Sequence, residues 1–418
     1  MGLDLELAKP FTLPNGLALP NRLVKAAMAE HCADKNGIPN EKLSRAYATW
    51  ADGGWGMVLT GNVQVDPRYL GAPGDVATAE KQVGEEALLA SWRAWAAAGS
   101  ANGTPLVMQI NHPGRQSPAG AGARGFLEKS IAPSPIPLHL PPGGFLAWAM
   151  AALAFGTPRE MTQADIDHAV ARFATTARLA AAAGFAGVEI HAAHGYLLAQ
   201  FLSAKSNRRA DAYGGSAANR ARIVVEVIRA IRAAVPAGFA VGIKLNSVDH
   251  QSKEELAGCI EQLRLITEAG VDFLEISGGS YENPTMFLGT DKAAGEVEKK
   301  SERTKAREAF FLEFARSIRD KFPHVPLVVT GGFRTRAGME AAVRAGDCEM
   351  AGLGRPAVLN PALPHNVVFN AEVSDDDAKL FAKTVEVPWF VKKFGFHAVG
   401  AGMESSWYSK KIGEMGSK

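Results

Sequence analysis

The chain has 418 residues, 47% of them hydrophobic, which is enough for one large core or two ordinary ones and too many for a single sandwich or bundle. Its 45 basic residues face 43 acidic ones, a net charge of +2 with no basic tract, which excludes nucleic acid as the partner. Three scattered cysteines (Cys32, Cys259 and Cys348) exclude a disulfide framework and a Cys-rich zinc module. They fit a reducing compartment, so the expected location is the cytoplasm.

In chain order, short apolar runs alternate with helical patterns. Strands are expected at Leu23–Met28, Gly56–Gly61, Leu106–Ile110, Val188–His191, Val241–Asn246, Phe273–Ser277, Leu327–Thr330 and Met350–Leu353. Amphipathic helices are expected at Ala87–Ala98, Asp165–Ala183, Ala217–Ala234, Lys253–Ala269, Thr304–Lys321 and Thr335–Ala345. Four of them run into a glycine suited to a left-handed stop: Gly99, Gly184, Gly270 and Gly346. Eight strand-then-helix units with strands apolar on both faces argue for an α/β fold, a closed parallel (β/α)8 TIM barrel. An open doubly wound sheet would want a Gly-rich turn after its first strand, where this chain reads Ala26-Ala27-Met28-Ala29. The one GxGxxG, at Gly120, Gly122 and Gly125, has no strand before it and no helix after it, and reads as a loop.

Residues 1–369 are read as the barrel domain. Within it, 111–160 is a Pro- and Gly-rich excursion after strand three, read as a lid. Its apolar run Phe145–Phe155 is half the ~20 residues that a spanning helix needs, so no membrane partner is expected and a flat apolar substrate is. The acidic start Met1-Gly2-Leu3-Asp4 argues against a signal peptide, and Glu6 against myristoylation. Thr162 is placed to cap the helix that follows the lid. Residues 370–418 are read as a C-terminal extension packed on the barrel or at an interface. Trp389, Phe390, Phe394 and Trp407 there make a homodimer the candidate assembly.

Barrel enzymes keep their chemistry at the C-terminal ends of the strands. Those ends read Met28, Gly61-Asn62, Gln109-Ile110-Asn111-His112, His191 with His194 and Tyr196, Lys244 with Asn246, Ser277, Gly331-Gly332, and Gly352 with Gly354-Arg355. Glycines after strands seven and eight with one guanidinium suit a phosphate. Two imidazoles three residues apart can converge on a carbonyl oxygen and donate to its developing charge, with the Tyr196 hydroxyl as proton donor. A zinc pair would want a third ligand, for which only Glu189 is near, so no metal is assigned. Lys244 suits either a Schiff base, as in a class I aldolase, or a fixed cation facing a negative charge. The Gln109 amide suits the pyrimidine edge of a flavin.

The segment Val188-Glu189-Ile190-His191-Ala192-Ala193-His194-Gly195-Tyr196-Leu197 continues through Phe201-Leu202-Ser203, Ser206-Asn207-Arg208-Arg209, Asp211, Tyr213-Gly214-Gly215-Ser216 and Asn219-Arg220. It closely resembles the Old Yellow Enzyme family, the FMN-dependent NAD(P)H:flavin oxidoreductases or ene-reductases. Asn21-Arg22-Leu23-Val24, Gln109 with His112-Pro113-Gly114-Arg115, and Gly352-Leu353-Gly354-Arg355 match as well, so the resemblance runs from Leu7 to Pro364.

The resemblance implies an FMN-binding barrel that uses NADPH or NADH as hydride donor and reduces the C=C bond of a small-molecule enone by ping-pong hydride transfer. It places Ala26, Ala27, Met28 and Gly61 along the flavin and Gln109 on its pyrimidine edge. His191 and His194 would hold the substrate carbonyl, with His191 also beside the flavin, and Tyr196 would protonate the α carbon. Lys244 would face the flavin N1/O2 edge, and Gly331, Gly332, Phe333, Gly354 and Arg355 would take the phosphate. Three positions depart from the family pattern. Ala27 stands for proline, Ala29 for a Thr or Cys that would donate to flavin O4, and Lys244 for the commoner arginine.

Overall fold

A computed structural model of the chain describes residues 4–125, 127–138, 152–246, 253–277, 314–385 and 397–417, together with Ala149 and Leu312. Eight strands form its centre: β1 (Leu23–Lys25), β2 (Met57–Leu59), β3 (Leu106–Asn111), β4 (Gly187–Ala192), β5 (Ala240–Asn246), β6 (Phe273–Ser277), β7 (Leu327–Thr330) and β8 (Met350–Leu353). Each lies parallel to the next, and β8 returns to pair with β1, setting Ala351 opposite Leu23. The sheet therefore closes on itself, and the fold is an α/β (β/α)8 TIM barrel. All eight expected strands are there, with β1 ending at Lys25 instead of Met28.

The outer layer contains α1 (Glu41–Ala51), α2 (Glu85–Gly99), α3 (Gln163–Ala183), α4 (Ala217–Ala234), α5 (Lys253–Glu268), α6 (314–319) and α7 (Arg336–Arg344). The expected helix over Thr304–Lys321 lies partly outside the described residues. Helix α1 had no sequence expectation, although it buries Leu43, Ala46, Tyr47 and Trp50, a helical stripe, and is capped by Asn40, whose side chain accepts from the Leu43 N–H. Thr162 does cap α3, in a reciprocal box with Asp165.

Three of the four expected glycine stops are left-handed: Gly184, Gly270 and Gly346, at φ 92°, 100° and 75°. Gly99 is a correction. It is the last residue of α2, and its missing side chain matters for packing, because a Cβ there would come within 2.6 Å of Leu106 Cδ2.

In the lid region, Ile131–Ala132 pairs in parallel with Arg159–Glu160, and Gly120 and Gly122 sit in turns as a loop reading requires. Most of the apolar run Phe145–Phe155 lies outside the described residues, as do Trp389, Phe390 and Phe394. Beyond the barrel, α8 (His397–Met415) packs on α1 and on the short helix Arg355–Leu359. Among the described residues no helix is long and apolar enough to cross a membrane.

Candidate active site

Residues two apart on a strand face the same side, so the barrel interior is read in layers. The lowest layer is apolar: Val107, Ala240, Phe273, Val328 and Met350 pack with Leu13 and Leu19 from the N-terminal hairpin. One step up, the same rows carry Gln109, Gly242, Glu275 and Thr330, joined by Glu189 of β4. Gly242 has no alternative, since a Cβ there would lie 2.1 Å from the Phe273 ring. The next step brings His191, Lys244 and Ser277 to the mouth. The polar character grows toward the end of the barrel where the strands stop.

Strand register sets the contacts in these layers. Gln109 lies opposite Glu189, and Lys244 lies opposite both His191 and Glu275. Gln109 Nε2 donates to Glu189 Oε1 at 2.5 Å, which leaves its own amide oxygen for another partner. Lys244 Nζ stands 3.0 Å from Glu275 Oε1 and 3.6 Å from Glu189 Oε1, with all three side chains nearly out of contact with water. Burial and the adjacent Glu275 carboxylate push Glu189 well above the ordinary carboxylate range. Burial also opposes charge on Lys244, but Glu189 and Glu275 outweigh it and hold its pKa above the usual lysine value. Lys244 is thus a fixed ammonium at neutral pH. That is the wrong state for a Schiff-base nucleophile and the right one for opposing a negative charge.

A cavity of about 340 Å³ opens above these layers, in the range of small-molecule and cofactor sites. The mouth of β1 contributes Ala26, Ala27 and Met28, and the ends of β3, β4 and β5 contribute Gln109, His191, His194, Tyr196 and Lys244. The opposite end is lined by Gly331, Gly332, Phe333, Gly354 and Arg355. Gly61 is the one sequence-assigned residue absent from the wall. Its N–H donates to Glu30 Oε1 at 2.7 Å behind the wall, and Asn62 lines the cavity beside it.

His191 Nδ1 accepts from the Ala193 N–H at 3.3 Å, so its proton sits on Nε2, 3.1 Å from His194 Nδ1. His194 in turn carries its proton on Nε2, 3.2 Å from Ser277 Oγ, while its backbone N–H donates to Asn246 Oδ1. Burial first drives both imidazoles below their usual value: His194, with Lys244 adding to it, to about 3, and His191, with His194 and Lys244 adding to it, well below the usual imidazole range. The pair is a neutral chain of N–H donors. The Tyr196 ring stands edge-on to His191, with centroids 4.8 Å apart.

Several cavity residues escaped the sequence reading. His31, left-handed at φ 49°, presents its ring with Nδ1 3.0 Å from Asp75 Oδ1, and both line the wall. Thr330 Oγ1 is buried there with no partner among the described residues, as is Oδ1 of Asn62, a residue the strand-end count did include. Gly402, Glu404, Ser405, Ser406 and Tyr408 reach in from α8. Glu189 and Glu275 did carry a signal, as single charges inside otherwise apolar strands.

A profile of the NADH:flavin oxidoreductase / NADH oxidase family matches residues 6–372. The chain belongs to this family, the FMN-dependent Old Yellow Enzyme family. It is 54% identical over 415 residues to the NADH-dependent flavin oxidoreductase iliE of Neonectria sp. (strain DH2), covering 98% of this chain and 54% of that one, so the chain spans about half the length of this relative. It is 54% identical over 411 residues to the NADH-dependent flavin oxidoreductase iccE of Talaromyces variabilis, covering 98% of each. Among solved structures, an old yellow enzyme homologue from Zymomonas mobilis superposes with a TM-score of 0.67 at 22% identity, covering 86% of this chain and 91% of that one, a likeness of fold.

The residues present fit FMN, the cofactor of this family of oxidoreductases. Thr330 Oγ1 and Asn62 Oδ1 are unpaired polar atoms on the wall, and Gly331 and Gly332 are consecutive left-handed glycines (φ 109° and 87°) beside a guanidinium. The amide oxygen of Gln109 is left as an acceptor, and Lys244 supplies one buried cation.

Proposed function

We propose that this oxidoreductase reduces the C=C bond of α,β-unsaturated carbonyl compounds, with NADH as the electron source. The observation that carries the reading is the neutral His191–His194 couple with Tyr196 packed beside it, all on the wall of one cavity above a buried ammonium.

Bound FMN would supply a two-electron carrier between the reduced nicotinamide and the alkene. Gln109, with its amide turned by Glu189, would accept from a ring N–H, and Lys244 would offset negative charge at that end. Gly331, Gly332, Phe333, Gly354 and Arg355 would hold the phosphate, and Ala26, Ala27 and Met28 would support the ring. The imidazole N–H groups of His191 and His194 would grip the substrate carbonyl oxygen and stabilise the charge that develops on it. Tyr196 would deliver its hydroxyl proton to the α carbon, and the closed barrel below keeps water from this face. NADH as the donor is supported by the two relatives, both NADH-dependent flavin oxidoreductases. The scatter of Cys32, Cys259 and Cys348 along the chain, with no CxxC, fits a cytoplasmic setting.

The test is direct. Purified protein should be yellow, should bleach on anaerobic addition of NADH, and should regain its colour on addition of an enone such as cyclohexenone, with the alkene saturated in the product. A colourless protein that takes up no added FMN would end the reading. The class I aldolase alternative is disfavoured by the ion-paired state of Lys244.

A further inference from the structure

The match to the family profile stops at residue 372, yet the cofactor cavity has a wall beyond that point. Helix α8 is fixed there by two side chains. Ser409 Oγ donates to the Ala29 carbonyl at 2.7 Å, and the Tyr408 hydroxyl donates to the Lys383 carbonyl at 2.8 Å. Between the cavity and these anchors lies Glu404, 4% exposed, whose carboxylate takes a hydrogen bond and an ion pair from Arg355 Nη1.

Arg355 is the only cation among the five residues read as the phosphate clamp. A guanidinium offers a fixed fork of donors, and Glu404 already occupies one arm of it from the cavity side. A phosphate seated against Gly331, Gly332 and Gly354 would bring a second anion to the same fork, inside a wall that screens charge poorly. Two anions cannot both take the same arm.

Resting on the flavin reading above, we propose that Glu404 holds the place on Arg355 that the FMN phosphate takes, so that α8 sets cofactor affinity by competing with the phosphate. The carboxylate keeps Arg355 paired before loading and turns aside when the phosphate arrives. The isoalloxazine end, lined by Gln109, Lys244 and the histidines, is not involved. The competition is therefore specific to flavins that carry a phosphate.

The experiment is a titration of flavin-stripped protein with FMN and, separately, with riboflavin, followed by quenching of flavin fluorescence, for the wild-type protein, Glu404→Gln and Glu404→Asp. Freed of one charge-assisted competitor, Glu404→Gln should bind FMN about tenfold tighter or more, while riboflavin binding stays as in wild type. Glu404→Asp, which keeps the charge, should stay near wild type for both ligands. Weaker FMN binding by Glu404→Gln would make Glu404 a positioning residue for Arg355 and overturn the proposal. So would parallel shifts for FMN and riboflavin, which report only wall packing. Thermal melts of the stripped proteins verify that each variant is folded, and a Glu404→Gln that does not fold while Glu404→Asp binds as wild type also counts against competition. Wild-type protein that binds FMN, with no change on Glu404→Gln, defeats this proposal alone, whereas wild-type protein that binds neither flavin defeats the functional reading with it.

Discussion

His191 and His194 are bonded to each other, with Nε2 of the first 3.1 Å from Nδ1 of the second. On the proposed reading, a carbonyl oxygen entering the cavity takes the Nε2–H that His191 now gives to His194, so a change in either ring is felt by the other. Removing one donor of this kind typically costs ~10²–10³ in rate. His191→Ala and His194→Ala should each slow the enone half-reaction by that order. The double variant should lose far less than the product of the two losses, as residues acting together do. Stopped-flow reoxidation of the reduced protein by enone gives the four rates, and independent, multiplying losses would contradict a coupled pair.

In the proposed reaction Tyr196 enters only at the step that needs a proton. Tyr196→Phe should leave reduction by NADH unchanged and slow reoxidation by enone by ~10²–10⁴, the range of a lost general acid. The two half-reactions are measured separately under anaerobic conditions. An equal loss in both would remove Tyr196 from the role of proton donor.

Lys244 is held between Glu275 and Glu189 in a place without water. Lys244→Met removes the cation that pairs with Glu275, a loss that typically costs about 3–5 kcal/mol in a buried pair. Lys244→Arg keeps the charge and should keep most of the stability. Urea midpoints of the two variants decide the point. A Lys244→Met protein as stable as wild type would mean that the buried ion pair contributes nothing to the fold.

Acid should weaken the fold earlier than carboxylate titration alone would. Burial holds three histidines neutral in the native state: His112 at about 4, His194 at about 3, and His191 well below its usual value. In the unfolded chain each titrates near ~6.5. Between these values the unfolded chain binds protons that the native one does not. Stability therefore rises with pH in this window and is lost as pH falls from about 6.5 toward 4, by about 1.4 kcal/mol per pH unit for each histidine. Urea midpoints at pH 7.5, 6 and 5 should fall steadily, and a flat line between pH 6.5 and 5 would contradict the buried neutral histidines.

The barrel was legible because its signal is local and repeated: eight apolar runs, each followed by an amphipathic stretch, with Gly184, Gly270 and Gly346 as stops. The mouth was legible for the same reason, since strand ends can be counted. What stayed hidden depends on distance in space. The Asp75–His31 contact joins two loops, and Glu404 meets Arg355 across a stretch of chain with no strand or helix rhythm to announce it. Gly61 sits where the strand count puts it, but it is the next residue, Asn62, that lines the wall. Counting strand ends does not separate two neighbouring residues.

Closure of the sheet has a consequence for how the molecule is made. The amide of Ala26 bonds to the carbonyl of Leu353, and α1 leans on α8, so the first strand and helix of the barrel are completed by partners more than 300 residues later. During translation β1 must wait, half-paired, with Leu23 and Val24 open to solvent until β8 has left the ribosome. Chaperone capture of nascent chains should accordingly be strongest for lengths that include β7 and stop short of β8.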